Sequence, residues 1–123
     1  MGRDVITCHI LDTVVGKPAG GVKCTLVKLS GVKADTISTA TTDQDGRVTN
    51  WDSPLDSIKT SDGKVAPGTY RIKFDTGMYL SQNNNGQAFF PYVEVVFNIE
   101  NPDSHYHIPL LLSNYSYSTY RGS

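Results

Sequence analysis

The chain has 123 residues, with 11 Lys and Arg against 12 Asp and Glu, so its formal net charge is -1 at pH 7. This length suits one domain with one hydrophobic core. The sequence lacks the cluster of basic residues that is typical of nucleic-acid binding, and it has no apolar run long enough to span a bilayer. We therefore expect a single domain over 1–123 that binds neither nucleic acid nor a membrane.

The composition favours a mainly β protein. The chain contains 11 Val, 7 Ile and 12 Thr, but only 5 Ala and 2 Glu. Because β-branched side chains lose freedom in helices and pack well on sheets, this balance disfavours a helical fold. The 2 cysteines, Cys8 and Cys24, have no CxxC spacing, so we predict reduced, packed thiols rather than a disulfide framework.

Turn residues divide the chain into segments of strand length, which is typical of a β-sandwich or barrel. In chain order the predicted strands are 5–12, 21–29, 35–42, 47–51, 68–75, 89–99, 104–112 and 114–121. The Gly16–Gly21 stretch is interpreted as a loop, and one short helix is expected near 76–82.

Alternation along these strands separates core faces from polar faces, because strand side chains have a period of two. In the first strand an apolar face belongs to the core: Ile6, Cys8 and Ile10. All 3 histidines, His9, His105 and His107, fall on faces opposite the expected core. A single such histidine is usually a solvated surface residue. If the outer faces of these strands meet, the histidines would also lie close to Arg47, which follows a tight turn. Periodicity alone does not decide whether these faces meet.

Several chemistries are available to three histidines. A zinc site would need them to meet from distant segments, and no carboxylate or cysteine stands at ligand spacing beside them. The sequence contains no GxSxG nucleophile elbow and no glycine-rich phosphate loop. Metal-free acid–base hydrolysis remains, since imidazole transfers protons near neutral pH and arginine holds carbonyl-rich ligands.

Several motifs are spread in register along most of the chain. The sequence ends in Tyr-Arg-Gly-Ser, preceded by the His105–Ser113 stretch, and its N-terminal part contains Thr7–Asp12 with Gly16–Ala19. Thr42–Arg47 and Phe89–Pro91 lie between them. These motifs closely resemble the two signatures and the middle segments of the 5-hydroxyisourate hydrolase family, the transthyretin-like enzymes of urate breakdown. Asn114 stands where the family usually has proline, and asparagine also suits a turn at this position.

The resemblance implies an all-β, transthyretin-like β-sandwich of two four-stranded sheets with one short helix. It also implies a homotetramer, a dimer of dimers that meet across a channel containing the sites. The implied activity is hydrolysis of 5-hydroxyisourate to 2-oxo-4-hydroxy-4-carboxy-5-ureidoimidazoline. The resemblance also implies that the reaction uses no metal and no cofactor.

The family's site residues transfer to matching positions of this sequence. The resemblance assigns His9, Arg47 and His107 to catalysis. It assigns the last four residues to the pocket lining: Tyr120, Arg121, Gly122 and Ser123. Ser118, on the same face as Tyr120, is expected to border the site, and His105 is expected beside it or at its mouth.

Two other classes of protein are weighed against the enzyme. A transthyretin-type carrier of small aromatic ligands would lack the two histidines, the arginine and the Tyr-Arg-Gly-Ser ending, all of which are present here. A structural β-sandwich module would have no use for a defined C-terminus. The N-terminus has no signal-peptide layout, so a cytoplasmic location is expected, with the periplasm or peroxisome as alternatives if a leader was removed.

Overall fold

The computed structural model of the chain describes residues 2–83 and 86–122, which form strands and two short helices. The strands are β1 (Ile6–Asp12), β2 (Lys17–Pro18), β3 (Lys23–Ser30), β4 (Lys33–Thr41), β5 (Arg47–Val48), β6 (Gly68–Phe74), β7 (Val93–Ile99), β8 (Tyr106–Leu112) and β9 (Tyr117–Thr119). A 3-10 helix covers Leu55–Ile58 and an α-helix, α1, covers Thr76–Ser81. No helix in the described ranges is long and apolar enough to cross a membrane.

The strands form two sheets packed face to face. One sheet has the order β2-β1-β8-β9, with β5 also pairing with β1, and the other has the order β4-β3-β6-β7. The β1–β8 pair is parallel and the other strand pairs are antiparallel. The predicted two-sheet sandwich with one short α-helix is confirmed. The difference is the two-residue strand β2, which was not predicted and gives the first sheet a fifth member. The expected strand 47–51 is shorter than predicted and is present as β5.

Several element boundaries differ from those predicted. The expected strand 89–99 begins only at Val93, since Pro91 cannot donate to a ladder, and the expected strand 114–121 is reduced to Tyr117–Thr119. β2 lies inside the segment interpreted as a loop, and its Pro18 is tolerated because the strand is at a sheet edge. The 3-10 helix was not predicted at all.

The hydrophobic core lies between the two sheets. The predicted apolar face of β1 is confirmed, because Ile6, Cys8 and Ile10 are all fully buried. Cys8 and Cys24 are free thiols from opposite sheets, with Sγ atoms 4.0 Å apart. Their hydrogen bond, together with burial, raises the pKa of Cys8, so the thiol stays protonated and behaves as a small apolar group.

A buried carboxylate attaches helix α1 to the sheet that bears the histidines. Asp12, at the end of β1, is fully buried, and its Oδ1 accepts a hydrogen bond from the Val14 backbone N–H at 3.0 Å. The Tyr79 hydroxyl of α1 donates to Asp12 Oδ2 at 2.8 Å. Burial and this hydrogen bond raise the pKa of Tyr79 to about 12, so the phenol remains a donor.

We expect Tyr79→Phe to lower the free energy of unfolding by about 1.5–3 kcal/mol, because the buried carboxylate of Asp12 loses one of its donors. Urea unfolding at a fixed protein concentration measures this change. Tyr92→Phe is the matched control, since Tyr92 is exposed and should change stability by less than about 0.5 kcal/mol. Equal stability of the two variants would contradict the role given to the Tyr79 hydroxyl.

Candidate active site

A cavity of about 450 Å³ opens on the outer face of the five-stranded sheet. Strands β1, β5 and β8, the N-terminal segment and the C-terminal tail supply its walls. The lining residues are Arg3, Thr7, Cys8, His9, Arg47, Val48, Thr49, His105, His107, Pro109, Tyr120 and Gly122. The structure thus brings together His9, Arg47 and His107, which come from three separate parts of the chain.

Strand register explains why His9 and His107 meet. In the parallel β1–β8 pair, Thr7 stands opposite His107 and His9 stands opposite Pro109. Because directly paired residues point to the same side of a sheet, both imidazoles project from the outer face. The His9 and His107 ring centroids are 6.3 Å apart, and His105 lies at the same distance on the other side of His107.

A tight turn before β5 positions Arg47 directly beside His9. Asp43 Oδ1 accepts hydrogen bonds from the backbone N–H groups of Asp45 (2.8 Å) and Arg47 (3.0 Å). Gly46 has φ +74°, and a Cβ at this position would lie 2.5 Å from the Ile10 carbonyl oxygen, so only glycine fits. The turn leads into antiparallel pairing of Arg47 with His9.

The C-terminal tail closes the cavity beside β8. The Gly122 backbone N–H donates to the His107 carbonyl oxygen at 2.9 Å, and Tyr120 reaches the cavity wall. A Cβ on Gly122 would lie 2.6 Å from His107 Cδ2 and 3.2 Å from Pro109 Cγ. Glycine therefore lets the tail approach the His107 ring closely.

We expect Gly122→Ala to lower turnover about 10- to 100-fold, because the added methyl group displaces the His107 ring from its place in the cavity. Steady-state kinetics measures the effect. Gly2→Ala is a suitable control, since a Cβ there meets no atom within 4 Å and the variant should behave as the parent protein. Unchanged turnover in Gly122→Ala would show that the tail does not hold the imidazole in place.

Two residues expected at the pocket are not on the wall of this single-chain cavity. Arg121 is not among the lining residues, and its guanidinium carbon lies 4.6 Å from the centre of the Tyr106 ring. Ser118 pairs with Leu111, farther along β8 than the histidines. Ser123 lies outside the described residues, so its role remains a prediction, as do pocket roles for Arg121 and Ser118. His105, expected beside the site or at its mouth, is on the wall itself.

The cavity keeps its imidazoles neutral near pH 7. Burial lowers the pKa of all three histidines. The positive charge of Arg47 lowers the pKa of His9 and His107 further, and Arg3 has the same effect on His105 and His107. No carboxylate lines the cavity among residues 2–83 and 86–122, so two guanidinium groups dominate its charge.

In the part of the chain that the structure describes, no group of three His, Cys, Asp or Glu side chains has the arrangement needed to hold a metal ion. The separations of 6.3 Å between neighbouring imidazoles are consistent with this result.

Sequence reasoning did not assign Thr7 or Arg3 to the site. Thr7 is almost fully buried although it lies on the outer face of β1, and its Oγ1 contacts His107 Nδ1 at 2.7 Å. The available signal was its position two residues before His9 on the same strand face. Arg3 precedes β1 in a segment held by the Asp4 N–H, which donates to the Thr49 carbonyl oxygen at 2.8 Å. No periodic pattern marks this segment.

The fold and the site together define a two-sheet β-sandwich with a basic, histidine-lined pocket on one sheet face. The family model described as HIUase/Transthyretin family matches residues 6–122. The chain belongs to this family.

The chain is similar both to proteins named 5-hydroxyisourate hydrolase and to a transthyretin. A 5-hydroxyisourate hydrolase of Salmonella dublin is 42% identical over 122 residues, which are 99% of this chain and 83% of that protein. The structure of Klebsiella pneumoniae 5-hydroxyisourate hydrolase has a TM-score of 0.75 and 28% identity, covering 96% of this chain and 98% of the other. Sea bream transthyretin in complex with thyroxine has a TM-score of 0.78 and 30% identity, covering 97% and 95%.

Proposed function

We propose that this protein hydrolyses 5-hydroxyisourate in urate catabolism, giving 2-oxo-4-hydroxy-4-carboxy-5-ureidoimidazoline. The observation that carries this proposal is the convergence of His9, Arg47 and His107 in one cavity. Relatives named 5-hydroxyisourate hydrolase, at 42% identity over nearly the whole chain, support it. A carrier would need a binding cavity but no pair of neutral imidazoles beside a guanidinium.

The proposed reaction is a metal-free attack of water on the ring carbonyl next to the scissile C–N bond. The water oxygen forms a bond to the carbonyl carbon, and the C–N bond breaks when the leaving nitrogen is protonated. His9 and His107 together act as general base and general acid, since neutral imidazoles accept and return protons near pH 7. Arg47 holds the carbonyl-rich substrate and stabilises the developing oxyanion.

The charge of the cavity suits this substrate and its product. The substrate has several carbonyl oxygens, and the product carries a carboxylate. Arg3 and Arg47 supply donors with permanent positive charge, and no carboxylate competes on the wall formed by the described residues. Tyr120 and Pro109 add flat apolar surface against which a ring can stack.

We also propose that the working form is a homotetramer built as a dimer of dimers. β7 and β9 are edge strands of the two sheets, with backbone groups available to a second copy. An aromatic cluster next to these edges, with ring centroids 4.9 to 6.3 Å apart, contains Phe89, Phe90, Tyr115 and Tyr117. Light scattering should give about four times the 13.5 kDa chain mass, and a fully active monomer would contradict this assembly.

An absorbance assay with freshly prepared 5-hydroxyisourate tests the proposed activity. Because the compound also decays spontaneously, its decay is followed with the protein, without it, and with the His107→Ala variant. We expect strong acceleration by the parent protein alone. Tight binding of the compound without acceleration would indicate a carrier and overturn the proposal.

A further inference from the structure

The hydroxyl group of Thr7 lies between two histidines on the cavity wall. Thr7 Oγ1 is 2.7 Å from His107 Nδ1 and 3.1 Å from His105 Nε2. The side chain is only 3% exposed, and the β1–β8 register places it directly opposite His107. Both contacts are within hydrogen-bond distance.

The Thr7 hydroxyl group has one hydrogen to donate and two lone pairs that can accept. The two ring nitrogens are its hydrogen-bond partners among the described residues, so accepting from both rings would leave the hydroxyl hydrogen buried without an acceptor. The hydroxyl group therefore donates to one ring nitrogen and accepts from the other. If Thr7 donates to His107 Nδ1, His105 must carry its hydrogen on Nε2. If Thr7 instead accepts from His107 Nδ1, His105 must carry its hydrogen on Nδ1. The tautomers of the two rings are thereby linked.

The other nitrogen of His105 distinguishes these two arrangements. His105 Nδ1 is buried and has no hydrogen-bond partner among residues 2–83 and 86–122. A hydrogen on this atom would be a buried donor without an acceptor, which is costly, whereas a bare nitrogen there leaves only a lone pair unsatisfied. The surroundings therefore favour His105 with its hydrogen on Nε2, donating to Thr7.

We propose that Thr7 is a positioning residue that fixes neutral His107 in the tautomer with its hydrogen on Nε2. With Nδ1 occupied by the hydroxyl group, Nε2 is the ring nitrogen left for a ligand, and it is a donor. This inference rests on the proposed function and assigns different roles in the reaction to His107 and His9. His107 donates a hydrogen bond to the carbonyl oxygen, while His9 takes the proton from water and returns it to the leaving nitrogen as the C–N bond breaks.

Nitrogen-15 NMR of histidine-labelled protein tests the tautomer without any substrate. At a pH where the rings are neutral, the Nδ1 resonance of His107 should be that of a bare nitrogen and the Nε2 resonance that of a protonated one. His105→Phe removes the donor to Thr7, so the hydroxyl can rotate and the second His107 tautomer should become populated. A parent protein with its His107 hydrogen on Nδ1 would overturn the proposal, whether or not the protein hydrolyses 5-hydroxyisourate.

Kinetics then tests the consequence for turnover. Thr7→Val keeps the shape but removes the hydroxyl, and we expect kcat to fall about 10-fold or more while KM changes by less than about 3-fold. Thr7→Ser restores the hydroxyl and should recover kcat to within about 3-fold of the parent. Thr25→Val, in the other sheet, is the control for a strand threonine and should leave kcat unchanged. Equal kcat in Thr7→Val and the parent, or failure of Thr7→Ser to recover, would overturn the positioning role.

Discussion

Replacing Arg47 by alanine should lower kcat/KM for 5-hydroxyisourate at least about 100-fold. Arg47 is paired with His9 across the β1–β5 ladder and reaches the cavity from a rigid turn. A guanidinium preorganised toward the developing oxyanion costs little reorganisation during the reaction, so its loss is felt mainly in the transition state. Initial rates over a range of substrate concentrations measure the change.

The same variant should also move the pH dependence of the reaction. Burial lowers the pKa of His9, and the positive charge of Arg47 lowers it further. When this charge is removed, the pKa of His9 rises, so the imidazole becomes protonated at a higher pH. If neutral His9 accepts the proton from water, activity is lost on the acidic side earlier, and the acidic limb of the kcat/KM profile shifts to higher pH.

Two further substitutions separate the roles of charge and shape. Arg47→Lys keeps the positive charge but not the paired donors, so the rate should fall while the acidic limb stays in place. Arg71→Ala removes an arginine of the other sheet whose Nε lies 3.3 Å from Glu94, and it should leave both rate and profile unchanged. An Arg47→Ala profile that overlays the parent profile would refute the electrostatic link to His9.

Strand alternation was sufficient to predict which faces the histidines occupy. His9 and His107 lie on outer faces because Ile10 and Ile108 on the same strands are buried in the core. What alternation could not supply is which strands are neighbours. The parallel β1–β8 pairing joins segments about a hundred residues apart, and only the whole sandwich determines that register. The expectation that His9 and His107 lie close together came from the resemblance to a known family, because the residue pattern alone did not predict it.

The remaining differences arise from contacts that a one-dimensional pattern does not encode. Thr7 looks like a solvent-facing strand residue, yet His105 and His107 cover it. Arg121 belongs to a conspicuous terminal motif, yet its side chain projects toward Tyr106, on the face opposite Gly122. For Thr7 the alternation rule gave the correct face, but it gave no information about the side chains that surround that face. The packing of neighbouring side chains decides the role of a polar residue on an outer face.

Replacing His107 gives the sharpest test of how the two imidazoles share the chemistry. We expect His107→Ala to lower kcat at least about 100-fold, because the variant removes a group that acts directly on the substrate. His107→Gln should retain more activity than His107→Ala, since its side-chain amide can present an N–H near the position of the imidazole Nε2. This order follows if His107 acts as a hydrogen-bond donor rather than as the proton acceptor.

The pH profile of the glutamine variant separates the two roles. If His9 is the proton acceptor, its titration still controls the reaction, and the acidic limb of the kcat/KM profile persists in His107→Gln. If His107 is the acceptor, glutamine cannot replace it, and the variant should be as slow as His107→Ala without an acidic limb. Thermal unfolding of both variants provides the control for folding, and neither alanine nor glutamine is larger than the imidazole that already fits beside Gly122. Equal rates for the two variants would therefore assign proton transfer to His107 and contradict its role as a neutral donor.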